Sequence, residues 1–472
     1  VYFALASGVP RFASFMLLPV FIRALSPAEY GQLSVALALS AFAVVVFGLG
    51  FEVVVFRRFF TTPVHLRQNF VASTWSFLIV TSAVMAILLS LIVAPLLSTN
   101  EVLAGSSFAL SLLGAALTVS ATTVPLAVLR AEDRIRDYVT VAAITAGAAI
   151  SLTLVLVVVA HAGVNGWLLA MVAGNGVGLV AAMRVVPFHL PQPFDRGAVS
   201  DTLRSSIHIV PHFAALWSLQ LADRVLVASL ISTSAAGLYS LASNIALPMY
   251  VIVLGFGQAF MPEYARSAAE PKRLQALHST INAQVAVVAS LSLACALLLG
   301  PLVTLISNAE YDGAAPLVPW IVLGYAFLGL YAVPMNGLTL VHGRTAGLAI
   351  VSGLGAAANI GLIVLLATPY GLEAVAIATA AGYAVLLVAV LLFARWRKAS
   401  LSYSWARIGA MITVAGAGYA IGASVSSGDS LIGASARAVI AFAATGLIAR
   451  VAQVHGGIIR RLKLSRSGQT KT

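Results

Sequence analysis

FALASGVPRFASFMLLPVFIRALSPAEYGQLSVALALSAFAVVVFGLGFEVVVFRR, running from Phe3 to Arg58, decides the fold. It contains two apolar runs, near 3 to 22 and 33 to 56, joined by a short polar link and closed by Arg57 and Arg58. A bilayer core about 30 Å thick is crossed by roughly 20 helical residues at about 1.5 Å each. Backbone groups in hydrocarbon must be satisfied within their own segment, and runs of this length exclude barrel strands. Both runs therefore predict transmembrane helices. The first continues to Ile22 and leads into another span rather than a small-residue cleavage site, which predicts a retained helix and no cleaved signal; Val1 in place of methionine predicts a few preceding residues.

The rest of the chain repeats this pattern. Further spans are predicted near 70 to 93, 106 to 128, 139 to 160, 164 to 186, 207 to 230, 237 to 262, 280 to 307, 317 to 341, 344 to 367, 372 to 395, 405 to 424 and 431 to 454, for about 14 in all. Apolar residues make up 60% of the 472 and charged residues only 9%, with a mean hydropathy of +1.00. Soluble domains carry roughly 25% charge, so a water-soluble fold is excluded and the expected class is an all-α polytopic membrane protein.

Nearly all of the 27 Lys and Arg fall in alternate loops. One set holds Arg57, Arg58, Arg67, Arg130, Arg134, Arg136, Arg184, Arg196, Arg204, Arg266, Lys272, Arg273, Arg395, Arg397 and the basic tail after Arg450; the opposite set holds Arg23 beside acids such as Glu101, Glu310 and Asp312. The positive-inside rule then places both termini in the cytoplasm. A missed or invented span would move every later loop to the wrong side. The net charge of +12 is thus explained by topology, and no basic patch interleaved with aromatics points to nucleic acid. The single cysteine, Cys295, excludes a disulfide framework and reads as a small packed side chain.

Four correspondences indicate an internal duplication. V-P-R-F-A at Val9 to Ala13 returns as V-P-H-F-A at Val210 to Ala214, and the loops ending at Gly31 and Gly237 both open the next span. G-x-G occurs at Gly48 to Gly50 and at Gly255 to Gly257, and Gly163-Val164-Asn165-Gly166 answers Gly371-Leu372-Glu373-Ala374. The expected division is residues 1–195 as a six-helix half with the start of a linker, 196–400 as the second half, and 401–472 as two extra helices with a basic tail. An even number of spans relates the halves by an axis along the membrane normal. Pro187 to Ser206 is the one long inside loop.

Charges at membrane depth cost about 2.5 to 3.5 kcal/mol on insertion scales and are functional candidates by default. Arg11 sits midway along the first run beside Pro10, and the repeat places His212 beside Pro211. Span seven carries His208, His212, Gln220, Asp223 and Arg224, which at 100° per residue fall within an arc of roughly 160° with Trp217 at its edge. Adjacent Asp223 and Arg224 point about 100° apart, so Asp223 is expected to pair with another helix, with Arg11 as one candidate. Bland readings stand beside these: Arg11 snorkels or packs the halves together, and Asp223 with Arg224 belongs to a structural ion-pair set. Glu52, a turn before Arg57 and Arg58, is expected in an interfacial ion pair.

No G-x-x-x-x-G-K-[ST] loop, metal-ligand cluster or soluble catalytic domain occurs, so a carrier is expected rather than an enzyme, with no cofactor and no metal.

The segments R-A-L-S-P-A-E-Y-G (Arg23 to Gly31), L-R-A-E-D-R (Leu129 to Arg134), W-S-L-Q-L-A-D-R (Trp217 to Arg224), A-A-G-L-Y-S-L-A (Ala235 to Ala242) and G-F-G-Q-A-F-M-P (Gly255 to Pro262) carry a resemblance. The chain resembles the Wzx-type oligosaccharide flippases of polysaccharide biosynthesis, within the multidrug/oligosaccharidyl-lipid/polysaccharide exporter superfamily. That resemblance implies two pseudo-symmetric six-helix lobes around a central cavity plus two C-terminal helices, working by alternating access. It implies a substrate of undecaprenyl-pyrophosphate-linked oligosaccharide, with membrane lipids, a polysaccharide polymerase and other export proteins as partners. Arg11 and Arg224 would then bind pyrophosphate, Gln220, Trp217 and Asn244 the sugars, and Asp223, His212 and Glu52 would serve ion coupling or gating. The lipid II flippases carry a second Arg followed by Asp seven residues after the first Arg. Leu18 and Pro19 stand at those positions here, which disfavours a peptidoglycan precursor. An ion-coupled multidrug exporter and a non-transporting envelope scaffold are the alternative classes.

Overall fold

The computed structural model describes residues 17–96, 102, 105–186, 194–269, 271–342, 347–399, 401–425 and 431–452, and every described element is helical. Twelve helical stretches among them are long and apolar enough to cross a membrane. One of these is two passes, described below. The first expected span, 3 to 22, lies outside the described residues except for its end, α1 (Leu18–Ala24). The expected total of about 14 therefore holds to within that span.

Helix α2 (Pro27–Gly48) begins at a complete capping box: Glu29 N donates to Ser26 Oγ at 3.3 Å, Ser26 N donates back to Glu29 Oε2 at 2.9 Å, and Pro27 occupies the first turn. Such a cap is worth about 1 kcal/mol, and it starts the helix well before the apolar run. At its far end Leu49 and Gly50 adopt left-handed backbone, which turns the chain into α3 (Phe51–Thr61). Next come α4 (Val64–Val93), α5 (Gly105–Ala131), α6 (Ile135–Thr153, with a π-helical continuation Leu154–Val159) and α7 (Gly163–Val185). The small residues of α5 let its neighbours approach closely: Trp75 of α4 is fully buried, and its indole N–H donates to Ser120 O at 2.7 Å. The outer face of α4, with Val80, Val84, Ile87, Leu88, Leu91 and Ile92, is exposed, as lipid-facing side chains are.

The expected inside loop Pro187 to Ser206 is helical over α8 (Arg196–Ser206), capped by Asp195 Oδ1, which accepts from Ala198 N at 2.8 Å. Its low apolar content hides it from a span-length reading, but Val199, Thr202 and Ser206 lie at helical spacing and are buried. After a 3-10 turn (Ile207–Ile209) comes α9 (Val210–Leu230), then α10 (Thr233–Ala269).

The later chain forms α11 (Pro271–Leu298), α12 (Gly300–Ile306), a 3-10 segment (Ala309–Leu317), α13 (Val318–Asn336) with a π-helical end (Gly337–Val341), α14 (Leu348–Trp396), α15 (Trp405–Ser424) and α16 (Leu431–Val451). At 49 residues α14 would extend some 70 Å as one helix, far beyond a bilayer. Gly371 breaks it with φ 74° and ψ −161°. Close approaches pair Gly382 with Asn359, Gly355 with Leu386 and Gly347 with Phe393, all nearly symmetric about Tyr370–Gly371. The two halves are therefore an antiparallel hairpin, which restores the expected spans 344 to 367 and 372 to 395. An equivalent hairpin joins α6 and α7: Gly174 meets Ala149 and Gly178 meets Thr145 around a turn where His161 and Gly163 have positive φ. The pairing of the Gly163 and Gly371 segments, read from sequence, thus has a backbone counterpart in both. The last two helices pack on α11 through small residues, with Gly418 against Leu293 and Ala444, and Gly422 against Leu297.

Packing divides the chain into two compact units, Val1–Ser240 and Leu241–Thr472. This division falls after the expected repeat boundary at 195/196 because α8 docks on α3 and α4, and α9 on α2. One division concerns packing and the other duplication.

Candidate functional site

The polar residues of span seven lie on α9. Pro211 occupies its first turn, where a missing N–H breaks no helical bond, and the 3-10 turn before it provides the expected interruption. Trp217 fixes α9 to α2 by donating its indole N–H to Ala38 O at 2.8 Å, while its ring lies 4.6 Å from that of Phe42. That donor is therefore committed to the fold.

Asp223 is 4% exposed. Its Oδ2 accepts the Tyr239 hydroxyl at 2.7 Å and its Oδ1 accepts Arg224 N at 2.8 Å. The second helix expected to satisfy Asp223 is thus α10. Arg11, the candidate named from sequence, lies outside the described residues. Arg224 is half-buried, its Nε is buried without a hydrogen-bond partner, and it makes no ion pair among the described residues. A guanidinium taken from water with a donor unfilled is costly unless an anion compensates. The adjacent carboxylate acts on the guanidinium through its charge but bonds to Tyr239 and to Arg224 N, which leaves Arg224 Nε unfilled among the described residues.

The remaining candidates are placed as follows. His212 is half-buried with its ring 6.0 Å from that of Phe213, and Gln220 is half-buried. His208, in the 3-10 turn, is exposed. Asn244 is partly buried on the portion of α10 within the second unit. Glu52 does form an ion pair, but with Arg130 of α5 rather than Arg57 or Arg58. Arg58 turns instead to α8, reaching Asp201 Oδ2 at 3.3 Å, with Ala198 O and Thr202 Oγ1 each at 3.1 Å. The Glu52 side chain is 57% exposed, so the pair is screened by solvent. Glu52→Gln is expected to cost no more than about 1 kcal/mol, read as the thermal midpoint in detergent; a much larger loss of transport than of stability would assign the pair to gating.

Two residues escaped the sequence reading. Tyr239 lies in a segment noted only for its resemblance, although a tyrosine two residues past Gly237 in a span is a hydroxyl at depth. Asn359, between Gly353 and Gly361, is fully buried with both amide atoms lacking hydrogen-bond partners among the described residues. No group of three or more His, Cys, Asp or Glu suited to a metal occurs among the described residues.

A family model described as polysaccharide biosynthesis protein matches residues 20–316. The chain belongs to that family. No curated protein matches it significantly. Among solved structures, one described as the lipid II flippase MurJ in an inward closed conformation aligns with a TM-score of 0.76 at 11% identity, covering 95% of this chain and 98% of that one. An inward-facing multidrug resistance MATE family transporter of the MOP superfamily gives 0.66 at 14% identity over 86% of this chain and 98% of that one. An outward-facing one gives 0.53 at 16% identity over 87% and 95%. At these identities the likeness establishes a shared fold, which is that of multi-pass membrane transporters.

Proposed function

We propose that this member of the polysaccharide biosynthesis family is a flippase. It moves an undecaprenyl-pyrophosphate-linked oligosaccharide from the inner to the outer leaflet of a bacterial cytoplasmic membrane by alternating access, with both termini cytoplasmic, and is not an enzyme. The observation that carries this reading is Arg224, a cation within a membrane span with a buried Nε that no acceptor among the described residues fills. A guanidinium fork matches the geometry of phosphate oxygens and binds them bidentately. Arg11, from the repeat-equivalent first span, is its proposed companion. Gln220 and Asn244 are proposed to contact sugar, together with the ring of Trp217. His212 and Asp223 are proposed for coupling or gating, Asp223 by exchanging its bond with Tyr239. Inward- and outward-facing structures of the same fold support the alternating mechanism.

Likeness to multidrug transporters favours a second reading, an ion-coupled small-molecule exporter. The two are separated by expressing the chain both in a strain lacking its own polysaccharide flippase and in a drug-hypersensitive strain. Restored surface glycan without added drug resistance is expected. Drug resistance without glycan would replace the flippase reading.

A further inference from the structure

We propose that the first unit carries, apart from any translocation pathway, an interfacial site for the phosphate of an anionic phospholipid headgroup. It lies where the end of α3 meets α8. A cleft of about 590 Å³ opens there, lined by Arg57, Arg58, Thr61, Asp201, Arg204 and Ser205. Arg57 and Thr61 close the membrane span Pro27–Thr61, and Asp201, Arg204 and Ser205 belong to the opening turns of the span Arg196–Leu230. The cleft therefore lies at the ends of two membrane spans, where lipid headgroups are expected. Phe56 and Phe60, which precede Thr61 on the same helix, are exposed apolar side chains.

Three guanidiniums face one carboxylate in the cleft, and the geometry shows which of them are already engaged. Arg58 is bonded to Asp201, Ala198 and Thr202. The Thr61 hydroxyl donates to Arg58 O at 3.2 Å and the Ser205 hydroxyl to Asp201 O at 2.8 Å, so neither is free to donate to a ligand. Arg57 and Arg204 are exposed and have no acceptor among the described residues. With Asp201 neutralising Arg58, they leave two positive charges and ten N–H donors directed to whatever enters. A phosphodiester supplies the matching anionic oxygens, and its acyl chains would remain in the bilayer beside Phe60. Bound there, a headgroup would relieve repulsion between Arg57 and Arg204 and hold α8 against α3. General attraction of basic segments to an anionic leaflet would place charge nearby; a concave site framed by Arg58 and Asp201 requires more than that, namely dependence on Arg57 and Arg204.

The test uses the purified full chain and phosphatidylglycerol bearing a photoreactive group next to its phosphate. Saturable labelling of the segments 57–61 and 201–205 is expected, with phosphatidylcholine a poor competitor. Arg57→Gln with Arg204→Gln should weaken binding on the order of tenfold or more. Arg184→Gln with Arg266→Gln, which removes the same charge elsewhere, should leave binding unchanged. Equal loss in both double variants would reduce the site to general surface charge. Competition by inorganic phosphate at the same concentration as the lipid would make it a free-anion site. If the cleft variant does not fold, the labelling map of the unaltered chain decides: labels away from both segments overturn the proposal.

Discussion

Replacing Arg224 by alanine should reduce surface glycan roughly thirtyfold or more at unchanged protein level, with lysine at the same position retaining part of the activity. Hydrogen bonds to charged groups contribute about 1.5–3 kcal/mol, and each 1.4 kcal/mol is a factor of ten. The large expected effect follows from the geometry: Asp223 is held by Tyr239 at 2.7 Å and Arg224 Nε has no partner, so removing the guanidinium breaks no protein ion pair among the described residues. The fold should accordingly survive while substrate binding fails. Lysine keeps the charge but presents a single ammonium in place of the fork. Glycan quantified by gel and protein by immunoblot check the prediction, and full export by the alanine variant would remove Arg224 from the substrate site. Tyr239→Phe provides the complementary case, because it frees Asp223 Oδ2 without altering charge.

The second large effect is expected at Gly31 and Gly237. A Cβ built on Gly31 would lie 1.8 Å from Thr233 O, and one on Gly237 would lie 2.0 Å from Pro27 O. The relation is reciprocal: repeat-equivalent glycines each face the first helical residue of the other's helix. The starts of α2 and α10 thus meet backbone to backbone about a local two-fold relation, with room for hydrogen alone. Gly31→Ala must drive the two backbones apart by more than 1 Å, an overpacking that costs about 1–3 kcal/mol. Gly147→Ala is the control, since nothing lies within 4 Å of its Cβ. There a helical glycine replaced by alanine should be neutral or stabilising by up to about 1 kcal/mol. Thermal denaturation in detergent should therefore move in opposite directions, or fall only for Gly31→Ala; equal midpoints would mean that the close contact does not form.

Features set by hydrocarbon thickness were legible in the sequence. Span length and the break at Gly371 follow from local composition, and the matched glycines could be read because Gly31, Gly163, Gly237 and Gly371 occupy places where a Cβ or a negative φ does not fit. The pairings were not legible, because they join residues distant in sequence. Spacing favoured Arg57 or Arg58 for Glu52, whereas the fold brings Arg130 of α5 to it and turns Arg58 toward α8. Asp223 was correctly expected to face another helix, but choosing Tyr239 required knowing how α9 and α10 return on each other. Trp217 is assigned to sugar contact through the resemblance to oligosaccharide flippases. Its N–H bond to Ala38 depends on the packing of α9 against α2, which no residue of either helix announces alone.

As a flippase, this chain is expected to carry lipid-linked oligosaccharide headgroups across the bilayer. The most direct measurement reconstitutes the purified protein in vesicles containing an undecaprenyl-pyrophosphate-linked oligosaccharide and follows access of an added glycosidase to headgroups that begin on the inner leaflet. The expected result is cleavage beyond the outer-leaflet fraction, lost in Arg224→Ala. Cleavage confined to the outer leaflet with the unaltered chain, in vesicles where the same protein carries a cationic dye, would contradict it.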